Sequence, residues 1–128
     1  MGRIVTPVVI ANALNPSKEI RCEVLVDTGA AGLVLPRAWK RRLGTLPIAR
    51  TAELEIADQR LVRGEVCGPV RIQIKGFDTI FNEVTFIDMR PENGGYEPLL
   101  GYIILEQSRA AVDMVGHRLV AVKHLDLK

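Results

Sequence analysis

The stretch that most constrains this chain is Val24-Leu25-Val26-Asp27-Thr28-Gly29-Ala30-Ala31, where one carboxylate ends an apolar, β-branched run and a turn follows at once. Successive Val and Leu residues favour a strand buried on both faces. Gly29 permits a sharp backbone reversal that a Cβ resists. Asp27 is therefore expected on a loop that emerges from a packed sheet, which is a rigid mount for a reactive side chain. Hydrolysis by carboxylates ordinarily needs a pair of them, one acidic and one basic. Asp-Thr-Gly occurs once in the chain, so either a second copy comes from another subunit or the motif is not catalytic.

The rest of the chain reads as short strands separated by turn residues. Strands are expected over residues 4–14 and 19–27, with a turn at Asn15-Pro16-Ser17 between them. A short strand at 33–35 leads into Pro36, which suits the first turn of a helix over 37–43, and Gly44 is a favoured residue just past a helix end. Further strands are expected over 52–57, 61–66, 70–74, 82–87 and 118–122. Leu54 to Val62 alternates around the polar centre Asp58-Gln59-Arg60 and reads as a hairpin. This spacing predicts a mostly β protein, an antiparallel barrel or sandwich with one or two short helices. With 128 residues, 48% of them hydrophobic, and no repeat or low-complexity linker, residues 1–128 are expected to form a single domain.

Charge and composition narrow the function classes. The net charge of +2 gives no whole-molecule field that would attract nucleic acid or an anionic membrane. No apolar run approaches membrane-spanning length, and Thr6, Pro7 and Asn12 interrupt the apolar N-terminus in a way that suits a first strand better than a signal peptide. Arg37, Lys40, Arg41 and Arg42 surround Trp39 and could be drawn as a phosphate-binding patch. On a short helix they are more simply a solvated face, with Ala38, Trp39 and Leu43 turned inward. Cys22 and Cys67 lack the paired spacing of a metal or redox motif, and a disulfide between them is disfavoured without an oxidising compartment. A cytoplasmic location is expected. His117 and His124 have no neighbouring ligands in sequence and are read as surface imidazoles, so no metal site is expected.

By itself Asp-Thr-Gly is a weak signal, because three specified residues occur by chance in about one or two chains in a hundred of this length. Its context is stronger. Pro98-Leu99-Leu100-Gly101 is a second apolar pair ending in Gly, and Val112-Asp113 follows an apolar run after it. With the Asp-Thr-Gly-Ala loop, the hairpin and the Leu-Leu-Gly segment in this order, the chain resembles the retropepsin-like family of single-lobe aspartic proteases over nearly its whole length. The resemblance implies a closed antiparallel β-barrel of the single-lobe acid protease type. It also implies a homodimer that brings two Asp27 carboxylates together and hydrolyses peptide bonds without metal or organic cofactor.

Residue roles follow from the same resemblance. Thr28 looks like the residue whose hydroxyl bonds across the two-fold to the opposite loop, and Gly29 like the one whose backbone approaches the carboxylates. Ala30 stands where many two-lobed relatives have Ser, and without a hydroxyl it cannot stabilise the ionised carboxylate. That implies a working range less acidic than that of gastric-type enzymes. Ala57, Asp58, Gln59 and Arg60 look like the tip of a flap over an extended polypeptide substrate, and Leu33, Val34 and Leu100 are candidates for its apolar pockets.

The chain departs from the retroviral pattern at two positions. An acidic residue after Asp-Thr-Gly-Ala and an Arg after the second Gly usually pair near the dimer interface. Here those positions are Ala31 and Tyr102, so both partners are absent together and no charge is stranded. The dimer then needs other contacts, for which residues 5–10 and 119–122 are candidates as an intersubunit sheet. Two other readings compete: a catalytically silent module that keeps the groove for peptide binding, and a nucleic-acid-binding barrel carried by the basic helix alone.

Overall fold

The computed structural model describes residues 3–56 and 60–123. Among the described residues nine strands form: β1 (Val5–Asn12), β2 (Asn15–Val26), β3 (Leu33–Pro36), β4 (Ile48–Ile56), β5 (Arg60–Ile74), β6 (Thr79–Ile87), β7 (Leu99–Leu100), β8 (Ala110–Asp113) and β9 (Arg118–Ala121). A 3-10 helix covers Arg37–Leu43 and a short α-helix, α1, covers Tyr102–Gln107. The main sheet has the order β1-β2-β7-β3-β6-β5-β4, and an additional β1–β5 pairing curls it into a near-barrel with the β4–β5 hairpin projecting from it. Its pairing is mixed rather than wholly antiparallel. β2–β7 and β3–β6 run parallel because β7 arrives from a distant part of the chain and threads between β2 and β3.

The core fills the inside of this barrel with Ile10, Ile20, Leu35, Ile72, Phe86 and Leu100 among its fully buried side chains. Trp39 packs against it from the 3-10 helix, meets the Tyr96 ring edge-on at 5.9 Å, and carries the Arg42 guanidinium 5.0 Å above its own ring. Such stacking uses both the apolar face and the charge of the helix. Arg37 and Lys40 are held by carboxylates: Glu65 lies 3.7 Å from Arg37 and 3.1 Å from Lys40, and Asp88 lies 3.2 Å from Arg37. Gly44 ends the helix at φ 70°, the left-handed region that glycine occupies without strain, and donates its N–H to the Arg41 carbonyl.

Two local expectations are revised. The first turn falls at Ala13-Leu14, ahead of Asn15-Pro16-Ser17, because the buried Asn12 side chain accepts from the Leu14 and Asn15 N–H groups at 2.8 and 3.2 Å. Its amide also donates to the Leu43 and Thr45 carbonyls, so every polar atom of this interior side chain is used. Secondly, residues 61–66 and 70–74 belong to one long strand, β5, broken only by a register shift at Gly68-Pro69. Pro69 has no N–H for a ladder, but its carbonyl accepts from Ala13, so the strand passes from its upper partners to β1 without ending.

Cys22 and Cys67 are free thiols. Burial pushes Cys22 up to about 11 despite the pull of nearby Arg42, and burial raises Cys67 as well, so both are poor nucleophiles at neutral pH. No group of three or more His, Cys, Asp or Glu among the described residues is arranged to hold a metal. None of the described helices is long and apolar enough to cross a membrane.

The β8–β9 hairpin turns on Asp113. Its Oδ1 accepts from Gly116 N–H at 3.0 Å and Val115 N–H at 3.1 Å, while Oδ2 accepts from Arg118 at 3.3 Å. The bond from Gly116 is the main reason the carboxyl titrates below its ordinary range, aided by Arg118 and Val115. A carboxyl with a depressed folded pKa stabilises the fold above its unfolded value and loses that contribution as pH falls through the folded one. Protection of the Val115 and Gly116 amides, taken relative to the unstructured exchange rate at each pH, is therefore expected to fall as the solution is acidified below the usual carboxylate range. Asp113→Ala should show the lowered protection at every pH; equal protection in the two proteins at neutral pH would refute the role.

Candidate active site

Sheet pairing decides which side chains surround Asp27. Leu25 is in register with Val5 and Leu99, Leu99 with Val34, Val34 with Thr85, and Thr85 with Val66. In-register neighbours point to the same face, so these six residues form one row across the outer side of the sheet. Val24, Leu33, Leu35 and Leu100 point inward to the core, with Val26 packed against them. Asp27 is two residues beyond Leu25, and alternation carries its carboxylate to the outer side.

The loop is braced from three directions. Asp27 N–H donates to the Leu100 carbonyl at 3.0 Å, which fixes the end of β2 on β7. Asp27 Oδ1 accepts from Gly29 N–H at 3.0 Å, and Ala30 N–H donates to the Asp27 carbonyl at 3.1 Å, closing a tight turn. The start of α1 then seals the far side: Gly101, Tyr102 and Ile103 N–H groups donate to the Gly32, Ala30 and Ala31 carbonyls, each at 2.9 Å. These are N–H groups that a helix start leaves without intrahelical acceptors. Ala31 and Tyr102, where the resemblance led one to expect a charged pair, each take part in these backbone bonds, Ala31 accepting from Ile103 and Tyr102 donating to Ala30.

Asp27 and Ala30 are half-buried, whereas Thr28 and Gly29 are exposed, so the turn offers its tip to solvent or to a second chain. Leu100 has no exposed surface and lies under the loop as a core residue, as does Leu33; Val34 is also buried, but on the outer face. The half-buried Leu99 is the β7 side chain on the Asp27 side, and sequence reasoning passed over it for its neighbour. Period-two alternation from the core-facing Leu100 would have found it. Leu25 and Leu99 flank the carboxylate as apolar floor.

The expected hairpin forms as β4 and β5, paired from Ile48↔Cys67 to Ile56↔Arg60. Its tip residues Ala57, Asp58 and Gln59 lie outside the described residues. Gly64, Val62 and Arg60 lie at even spacing from Val66 and so share the outer face with the Asp27 loop. Within residues 5–10, a candidate intersubunit strand, Val8 to Ile10 pair with both β2 and β5, whereas Val5 to Pro7 pair with β2 alone. The other candidate forms β9, which pairs only with β8 among the described residues.

No family sequence model matches this chain, and no curated protein matches it. Solved structures do. The EIAV protease complexed with the inhibitor HBY-793 superposes with a TM-score of 0.59 and 26% identity, over 83% of this chain and 88% of that one. The retroviral protease-like domain of Ddi1 from Leishmania major superposes with a TM-score of 0.60 and 15% identity, over 97% of this chain and 91% of that one.

Proposed function

We propose, from the premise that this chain has the retropepsin-like fold, that it is the subunit of a homodimeric aspartic endopeptidase with Asp27 as its catalytic carboxylate. The observation that carries this reading is the mounting of Asp27. A lone carboxylate stands on the outer face, on a turn held by β7 and by the first N–H groups of α1, beside the apolar residues Leu25 and Leu99.

One Asp27 per chain makes the chemistry a property of two chains. Two carboxylates brought together by a two-fold axis cannot both ionise easily, and the pair retains one proton. The ionised Asp27 takes a proton from a water held between the two. The protonated Asp27 polarises the scissile carbonyl. Water adds to give a tetrahedral diol, which collapses as a proton passes to the leaving nitrogen. Thr28 positions the two loops, Gly29 leaves room for the substrate, and the β4–β5 hairpin covers an extended polypeptide against the Leu25 and Leu99 floor. No metal or cofactor takes part in these steps.

The rate of cleavage of a mixed peptide pool is expected to rise more steeply than linearly with dilute protein, and to become linear once sedimentation shows a dimer. Proportionality throughout the monomeric range would overturn the shared-site mechanism. A verified dimer that cleaves nothing would instead favour a peptide-binding module of the same fold.

A further inference from the structure

We propose that a cationic hollow at the open edge of β5 binds acidic side chains of an extended polypeptide, so that substrates carrying Asp or Glu beside the scissile region are selected. The word substrate rests on the peptidase reading; the recognition of acidic chain rests on the hollow alone. β6 accompanies β5 only as far as Gly64, opposite Ile87. Beyond that point residues Arg60 to Arg63 have β4 on one side and no strand on the other, and the chain from Asp88 to Arg90 turns away. The gap is a hollow of about 490 Å³ lined by Arg37, Arg60, Leu61, Val62, Arg63, Asp88, Met89 and Arg90.

Charge in this hollow is one-sided, with four guanidinium groups against one carboxylate. The carboxylate, Asp88, is already engaged by Arg37, whose guanidinium also lies near Glu65. Arg60, Arg63 and Arg90 are exposed and form no ion pair with any described residue. Glu53 stands across the ladder from Arg63 without pairing with it. Arg60 on the outer face and Arg90 beside it offer guanidinium groups that can grip carboxylates by two parallel hydrogen bonds, while Arg63 adds positive charge from the opposite face of β5. Leu61, Val62 and Met89 supply apolar contact for the methylenes of a Glu side chain, and the free edge of β5 offers backbone partners to an extended chain. By alternation along β5 from Val66, Arg60 lies on the same outer face as Asp27, the face along which an extended chain over the Asp27 loop would run.

The test uses the Asp27→Asn chain, so that cleavage does not compete with binding, and two fluorescent peptides of one sequence that differ by Glu or Gln flanking the centre. The Glu peptide is expected to bind about tenfold tighter at low salt, a sum of several exposed pairs that each contribute about fivefold or less. The preference should fall as salt is raised. Adding Arg60→Gln with Arg90→Gln should remove most of it, while Arg21→Gln with Arg71→Gln, the same loss of charge elsewhere, should leave it. Equal binding of the two peptides, or equal loss in both double variants, overturns the proposal. Wild-type protein on the same peptides separates the two readings. Cleavage without acid preference sinks the hollow and keeps the peptidase; acid-selective binding by the hollow without cleavage at a verified dimer does the reverse.

Discussion

Asp27→Asn is expected to lower peptide hydrolysis by about a thousandfold or more while leaving fold and dimerisation unchanged. The amide oxygen can accept the Gly29 N–H as Asp27 Oδ1 does at 3.0 Å, so the turn survives. What is lost is the proton inventory: an amide neither takes a proton from water nor holds one for the carbonyl oxygen. The substitution is also informative in mixtures. If each site draws one carboxylate from each chain, an excess of the variant should silence wild-type chains by pairing with them. Wild-type activity that persists undiminished in such a mixture, under conditions where exchange of chains is verified, would show that a single chain suffices.

The second large effect is expected at Gly101. A Cβ built there would stand 2.5 Å from the Ala31 carbonyl oxygen and 2.6 Å from the Ala30 oxygen. Both obstacles are backbone atoms, and both oxygens already accept N–H groups from α1, at 2.9 Å. No rotamer relieves this clash. Gly101→Ala must therefore push α1 off the Asp27 loop and break the bonds that brace it, at a cost of about 3 kcal/mol or more. Urea unfolding should show a lower midpoint with little change in slope, and residual activity should fall even where the protein remains folded. Gly32→Ala is the matched control, since a Cβ there meets nothing within 4 Å. A Gly101→Ala midpoint within experimental scatter of that control would refute the packing argument.

Together these two residues explain how a small chain holds a reactive group still. Asp27 is held by bonds to its own N–H and side chain and by the Ala30, Ala31 and Gly32 carbonyls, which accept from the start of α1. Gly101 matters because it lets the neighbouring helix approach closely enough to meet them.

Much of this was legible before any fold was known. The apolar run into Asp27, the Gly29 turn, the helix stopped by Gly44 and the hairpin around residue 58 all depend on residues close in sequence, where turn geometry and alternation act directly. Pro36 and Gly44 mark the helix by the same local rules. Less was legible where competing local signals had to be weighed. Asn15-Pro16-Ser17 looks like a turn, but the buried Asn12 amide, with acceptors at Leu43 and Thr45, moves the reversal earlier. Gly68-Pro69 looks like a strand end, yet partners on both sides carry β5 past it.

Sequence by itself determined the mostly β class, the loop that bears Asp27, and the need for a second chain if two carboxylates are to act. Only the folded chain shows that β7 threads in parallel beside β2 in a register that puts Leu99 rather than Leu100 on the outer face with Asp27. It also decided that Arg37 meets Glu65 and Asp88, while Arg60, Arg63 and Arg90 form no ion pair with any described residue. The physical reason is the same in each case. Turns and caps are set by neighbours along the chain, whereas the face a strand presents and the partner a charge finds are set by segments that meet only after the barrel curls up.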